Sequence, residues 1–174
     1  AKLFAVEPDP QVSDHEFWRS FFKDTHVNCV SAQAGGIMAF YPTEVPFHYR
    51  SSSLGSRDHF GELVRTARGM GARVIARIDP HATHQDAYEA HPEWIAVDAQ
   101  GHHRRHWSRP DLWVTCVLGP YYEEFMALVI AEICERYRVD GFHVNRWMGS
   151  GVCYCDACRA GFARASGSLE IPRE

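Results

Sequence analysis

The sequence predicts an α/β protein, with parallel strands and helices outside them, in about four β/α units. Two observations carry this. Short apolar or β-branched runs alternate with segments whose apolar residues recur at helical spacing, strand then helix, four times over. The long polar stretches follow the second, third and fourth runs, on the side where α/β folds build their sites. At 174 residues the chain makes one domain, 1–174, whereas a complete (β/α)8 barrel takes ~250. Four units fit half of such a barrel, a partial TIM barrel, or a small open sheet.

Each element has its own justification. Lys2-Leu3-Phe4-Ala5-Val6 reads as the first strand, ended by Glu7-Pro8-Asp9-Pro10. Ser13 with Glu16 three residues later is a capping box, and Phe17, Trp18, Phe21 and Phe22 mark one face of the helix that follows. Residues 26–31 read as the second strand, and the Gly-broken stretch 34–41 as an extended loop leaving it, continued by a loop over 42–57. Asp58 caps a helix carrying Phe60, Leu63, Val64 and Ala67, closed by Gly69 and Gly71.

Arg73 to Asp79 is the third strand by its β-branched content, stopped by Pro80. Residues 81–109 read as a loop region containing strand-like 94–98 and a turn at Gln100-Gly101. Pro120 opens the longest helix, with Glu123 and Glu124 in its first turn and Arg136 and Arg138 in its last. Its apolar stripe is Tyr122, Met126, Val129, Ile133 and Tyr137. Residues 142–145 form the fourth strand, followed by a Gly-containing loop, a cluster of cysteines and a last helix through Phe162.

Composition excludes several classes. Hydrophobic residues are 45% and charged residues 23%, with a net charge of −4, so neither disorder nor bulk-charge binding of nucleic acid fits. No apolar run approaches the ~20 residues of a membrane span, and no basic-then-apolar amino end reads as a signal peptide. No Gly-x-Gly-x-x-Gly follows a strand and there is no P-loop. The expectation is a cytoplasmic protein without membrane or nucleic-acid partners.

Of six cysteines, Cys153, Cys155 and Cys158 fall within six positions. Three soft ligands on a tight loop point to zinc, which takes four at tetrahedral geometry. Cys116, just before the helix that leads to the fourth strand, is the natural fourth ligand. His143 and the run His102-His103-Arg104-Arg105-His106 compete for that place, although the run reads as an exposed polar loop. The bland alternative is free thiols or a Cys155–Cys158 bridge. Cys134 and Cys29 read as small core residues.

The pieces His91-Pro92-Glu93-Trp94, Val97-Asp98-Ala99-Gln100-Gly101, Cys116, Pro120-Tyr121, Arg136-Tyr137, Asp140-Gly141 and Cys153-Tyr154-Cys155-Asp156-Ala157-Cys158-Arg159 together resemble the amino-terminal half of (β/α)8 glycoside hydrolases. The cysteine pattern is similar to family 42 β-galactosidases, in which such a set holds zinc. Tyr41-Pro42-Thr43 and the spacing from Asp140-Gly141 to Asn145 resemble the hypothetical glycosyl hydrolase 6 family, related to α-L-fucosidase-like barrels. The resemblance covers residues 12–172. It implies a hydrolase of carbohydrate metabolism with structural zinc on Cys116, Cys153, Cys155 and Cys158.

The resemblance breaks at the fourth strand. Family 42 enzymes carry their acid/base Glu in an Asn-Glu pair there, and fucosidase-like barrels an Asp nucleophile near it; this chain has Asn145-Arg146. Glycoside hydrolysis needs two carboxyl groups, so the isolated chain is expected to be inactive. Asp79 and His81, ending the third strand, and Asn145 and Arg146, ending the fourth, are the candidate sugar contacts, with Trp107, Trp113 and Trp147 as stacking faces or loop anchors. A non-catalytic carbohydrate-binding or regulatory module and a small zinc-stabilised interaction domain are the other readings. Half a barrel leaves two strand edges, which favours a homo-oligomer.

Overall fold

The computed structural model describes residues 1–147, 151–168 and 170–172. In chain order the strands are β1 (Lys2–Leu3), β2 (Cys29–Gly36), β3 (Arg73–Asp79), β4 (Ala82–Thr83), β5 (Trp113–Val114) and β6 (Gly141–Val144). The helices are α1 (Asp9–Val12), α2 (His15–Asp24), α3 (His59–Arg68), α4 (Gln85–Ala90), α5 (Met126–Tyr137) and α6 (Asp156–Ser166). The chain divides into two compact units, Ala1–Asp79 with Val129–Asn145, and Pro80–Leu128 with Arg146–Glu174. No helix among the described residues is long and apolar enough to cross a membrane.

The first unit holds a four-stranded sheet in the order β1-β2-β3-β6, parallel throughout. Each strand lies beside its predecessor in this unit, the winding of a β/α barrel rather than of a doubly wound sheet that reverses at a switch point. Val30, Ala32 and Ala34 on β2 and Val74, Ala76 and Ile78 on β3 are buried, with Val30 opposite Val74 and Ala32 opposite Ala76. α3 packs on these strands with Phe60, Leu63, Val64 and Ala67 inward. Asp58 caps it as expected, its carboxylate accepting from the Gly61 N–H at 2.9 Å.

β2 runs further than its propensity suggests. Residues 26–28 are not strand, while Ala34 to Gly36, read as loop, belong to it through pairing with β3 across a bulge at Gln33/Gly35. Gly36 makes this possible: its φ of +104° and the approach of the Asp79 carbonyl leave no room for a Cβ. Other expectations also move. The α2 cap is Asp14, which accepts from the Glu16 and Phe17 N–H groups, not Ser13. On α2 only Phe22 is buried, while Phe17 and Phe21 are exposed. β1 is shorter than the five residues expected.

In the helix after Pro120 the first turn is a π turn, Tyr121–Phe125. The buried stripe becomes Tyr121, Phe125, Met126, Val129, Ile133 and Tyr137, with Tyr122 half-buried. Cys134 is exposed on this helix and Cys29 is half-buried at the start of β2, so neither is the core residue expected.

In the second unit β4 and β5 pair antiparallel, Ala82 opposite Val114 and Thr83 opposite Trp113. The stretch 81–109 is more structured than a loop: it contains β4, α4 and a 3-10 turn over Pro92–Trp94. Trp94 lies face to face on His91 at 4.1 Å and packs against Tyr121 and Phe125. The Gln100-Gly101 turn forms, with Asp98 accepting from the Gln100 and His102 N–H groups. Part of the loop after β6, residues 148–150, lies outside the described residues.

Candidate functional site

The four cysteines meet. Cys116, at the end of β5, follows the strand pair. Cys153 and Cys155 lie on the loop before α6, and Cys158 is in its first turn. Their sulfurs lie within 4.8 Å of one another. Cys116 Sγ is 3.4 Å from both Cys158 Sγ and Cys155 Sγ, and all four are free thiols. These are not disulfide distances. A tetrahedral zinc with Zn–S bonds of ~2.3 Å has sulfurs about 3.8 Å apart, and this set brackets that spacing.

The thiols also perturb one another. Hydrogen bonds from Cys116 and Cys155 hold the Cys153 thiol well below its ordinary range, and those bonds push Cys116 up. Burial pushes Cys158 up. Four sulfurs this close are soft donors that could hold one ion between them. The donor set therefore fits a soft divalent metal.

Backbone bonds from the His-Pro-Glu-Trp turn and the segment after it set this geometry. The Trp94 carbonyl accepts from the Cys116 N–H at 2.8 Å, and the Val97 carbonyl from the Tyr154 N–H at 2.9 Å. Val97 N–H in turn reaches Cys153 Sγ at 3.4 Å. Arg104 donates to the Val152 carbonyl at 2.6 Å and so holds the start of the cysteine loop. His143 and the 102–106 run contribute no atom to the cysteine cluster among the described residues.

A second dense group, His15, His59 and Glu62, lies in the first unit. It already contains its cation. Arg57 Nη2 donates to Glu62 at 2.6 Å and to His15 Nε2 at 2.8 Å, and His15 also contacts Glu62. We assign no metal there.

The candidate sugar contacts fall in both units. In the first, Asp79 is buried at the end of β3 with Arg77 Nη2 3.3 Å from its carboxylate. Asn145 follows β6, its N–H bonded to the Ile78 carbonyl at 2.9 Å. In the second, His81 and Arg146 come together on Trp107. The indole stacks on His81 at 5.5 Å, and the Arg146 guanidinium lies over it at 4.6 Å. Trp107 keeps 47% of its surface exposed.

His106 completes this stack and contradicts its reading as exposed loop. It is 9% exposed and lies 3.8 Å from the Trp107 ring. The antiparallel bridges Val97↔His103 and Arg105↔Trp113 tie the all-polar run to its neighbours in a way that its composition conceals. His106 Nδ1 accepts from the Ser108 and Arg109 N–H groups, both at 3.2 Å. Its proton is therefore on Nε2, which faces His81 Nε2 at 3.4 Å and leaves the His81 proton on Nδ1. Burial, then the Arg109 and Arg146 cations, lower the His106 pKa and keep the ring neutral. Trp113 is an anchor: buried, stacked on Tyr88 at 3.8 Å, its indole N–H donating to Gln85 at 2.8 Å.

Strands laid down in chain order as one parallel sheet define an α/β protein of the β/α-barrel class. Within that class the chain belongs to the hypothetical glycosyl hydrolase 6 family, whose model matches residues 15–146. Comparison with curated protein sequences gives no match.

Among solved structures it is similar to α-L-fucosidase isoenzyme 2 from Paenibacillus thiaminolyticus, with TM-score 0.70 and 22% identity over 96% of this chain and 26% of that one. A hypothetical protein from Ruminiclostridium thermocellum matches with TM-score 0.60 and 12% identity over 80% of this chain and 72% of that one. A noncanonic maltogenic α-amylase from Thermotoga neapolitana matches with TM-score 0.55 and 14% identity over 95% of this chain and 42% of that one. At these identities the likeness is one of fold. The chain spans about a quarter of the fucosidase's length.

Proposed function

We propose that this chain is the amino-terminal half of a glycoside hydrolase-like (β/α)8 barrel, binding carbohydrate through its loops and holding a structural zinc. The observation that carries the carbohydrate reading is the Trp107 stack. An exposed indole offers an apolar face to the C–H side of a sugar ring, and groups beside it supply hydrogen bonds. His106 and His81 stack on the indole and the Arg146 guanidinium lies over it, so together they frame the exposed part of the ring. Asp79 and Asn145, in the first unit, are candidate polar contacts in their own right.

Zinc on Cys116, Cys153, Cys155 and Cys158 is structural, because four thiolates leave no open position for water. It ties the end of β5 to the loop before α6. Glycosidic bond cleavage requires two carboxyl groups, and β6 is followed by Asn145 and Arg146. The chain alone therefore binds sugar without hydrolysing it, and the Asn145-Arg146 pair favours a binding role over acid/base work at this strand. The protein works in the reducing cytoplasm, where thiols remain available to metal. β1 and β6 each have one edge without a partner strand among the described residues, which supports self-association.

The test is equilibrium binding of L-fucose, D-galactose and D-glucose, with p-nitrophenyl glycoside turnover and metal content by native mass spectrometry. We expect one zinc per chain, binding weakened in Trp107→Ala and Arg146→Ala, and no turnover. Sugar binding indifferent to both substitutions would overturn the platform, and turnover by the chain itself would overturn its assignment as a binding half.

A further inference from the structure

The first unit contains a cavity of about 430 Å³ beside β1, within the roughly 300–1,000 Å³ of small-molecule sites. Its mouth and its floor differ in chemistry. Phe4, Phe17 and Trp18 line it, and Phe4 and Phe17 are 59% and 55% exposed. Trp18 stands edge-on to Phe17 at 5.1 Å. Gln33 and His59 also line it, and each is only 4% exposed.

These two buried side chains have polar atoms without partners. The Gln33 amide donates to the Gly35 carbonyl at 3.3 Å, but its Oε1 accepts nothing, and His59 Nδ1 has no hydrogen bond. Ser13 Oγ, on the same lining, is buried and unpartnered too. Unsatisfied buried groups are few in a native fold, and three on one cavity define what it lacks. An apolar helix or strand laid over the aromatic mouth would leave all three unmet.

An anion is opposed by Asp9 and Asp14, which also line the cavity. A cation lacks a free carboxylate face, since Asp9 accepts from the Val6 N–H and Asp14 from Glu16 and Phe17. Burial, followed by the charges of His15 and Arg57, keeps His59 neutral. The matching occupant is uncharged, has an apolar face for the rings, and carries several hydroxyl groups for the floor.

We propose that this cavity is a second carbohydrate site, taking one or two pyranose rings stacked on Phe17 and Trp18 and hydrogen-bonded to Gln33, His59 and Ser13. The choice of a sugar among uncharged polyols rests on the carbohydrate reading given above. The cavity itself uses none of the residues assigned there.

Saturation-transfer NMR with L-fucose, D-galactose and D-glucose tests it, with cyclohexanol and choline as apolar and cationic controls. Gln33→Leu keeps the buried volume and removes the acceptor, Trp18→Ala removes the platform, and Trp107→Ala reports on the other site. We expect at least one sugar to bind with the cavity lost in Trp18→Ala, weakened five- to tenfold in Gln33→Leu as for one neutral hydrogen bond, and retained in Trp107→Ala. Sugar binding abolished by Trp107→Ala but untouched by the two cavity variants overturns this inference and leaves the first site standing. Binding of cyclohexanol or choline in preference to all three sugars, or no sugar binding at all, overturns it as well.

Discussion

Cys116→Ser changes one atom, and the structure separates two consequences of that change. Cys116 is 1% exposed, and its sulfur is 3.4 Å from two others. If it were only a core residue, a buried hydroxyl in its place would cost about 1–3 kcal/mol, the same with or without chelator. If it is a ligand, the loss includes the stabilisation that zinc adds by binding the folded state alone, about 4 kcal/mol at 1,000 times Kd. For a domain of this size each kcal/mol moves Tm by roughly 2–4 °C, so a chelator should lower the wild-type Tm by roughly 8–16 °C. Cys116→Ser should start low and not respond to chelator. Cys134→Ser, at an exposed site, should behave as wild type within about 0.5 kcal/mol. Differential scanning calorimetry with and without EDTA reads all of this. Equal chelator effects in wild type and Cys116→Ser, or none in either, would refute the ligand assignment.

Four further outcomes follow from the first unit. Glu132 accepts from Tyr41 OH at 2.8 Å, Thr43 OH at 2.7 Å and the Glu44 N–H at 2.7 Å, with Arg136 at 3.4 Å. Glu132→Ala strands the fully buried Tyr41 hydroxyl and should cost about 3–5 kcal/mol in urea unfolding. Although burial raises the pKa values of Glu132 and Glu62, their hydrogen bonds and neighbouring cations outweigh it and set both below the ordinary 4.5. Their stabilisation is then complete above about pH 4.5 and lost as pH falls through the lowered values; a urea midpoint unchanged from pH 6 to pH 3 would contradict this. Gly36→Ala, which forces a Cβ against the Asp79 carbonyl at positive φ, should cost about 3 kcal/mol or more. Gly55→Ala, at φ +57° with no atom within 4 Å of the new Cβ, should cost the backbone strain alone, about 1–3 kcal/mol.

What the sequence made legible follows from where the determining forces lie. β3 could be read because Val74, Ile75 and Ile78 carry strand preference in their own side chains. The end of β2 could not, because Ala34, Gly35 and Gly36 have none, and Gly35 and Gly36 join the strand only by pairing with β3 past the register shift at Gln33/Gly35. α4 offers one buried residue, Ala87, in six positions, too little periodicity to stand out from a loop. A π turn reset the phase of the long helix, which an ideal 100° repeat cannot anticipate. The cysteine cluster was legible because Cys153, Cys155 and Cys158 fall within six positions and soft-metal chemistry draws on few residue types. The Trp107 stack was half legible: His81 and Arg146 follow strand ends, whereas His106 is turned inward by bridges that pair its all-polar run with Val97 and Trp113.

The His-Pro-Glu-Trp turn and the cysteines were read as separate motifs, but their hydrogen bonds make them one device. Trp94 is 7% exposed, clamped between His91 and the pair Tyr121 and Phe125, and its carbonyl holds the Cys116 N–H. Loosening the ring should therefore be felt at the sulfurs although it touches none of them, as partners outside a metal's ligand set commonly change affinity 10–100-fold. Trp94→Phe keeps an aromatic in the slot and loses part of the stacking area, so the fold should survive while zinc leaves faster. Transfer to a chelating dye measures that rate directly, and we expect it to rise by about tenfold or more. A rate equal to wild type, in a variant whose stability has fallen, would mean that the cysteine loop holds its geometry alone and that the turn serves only the core beneath it.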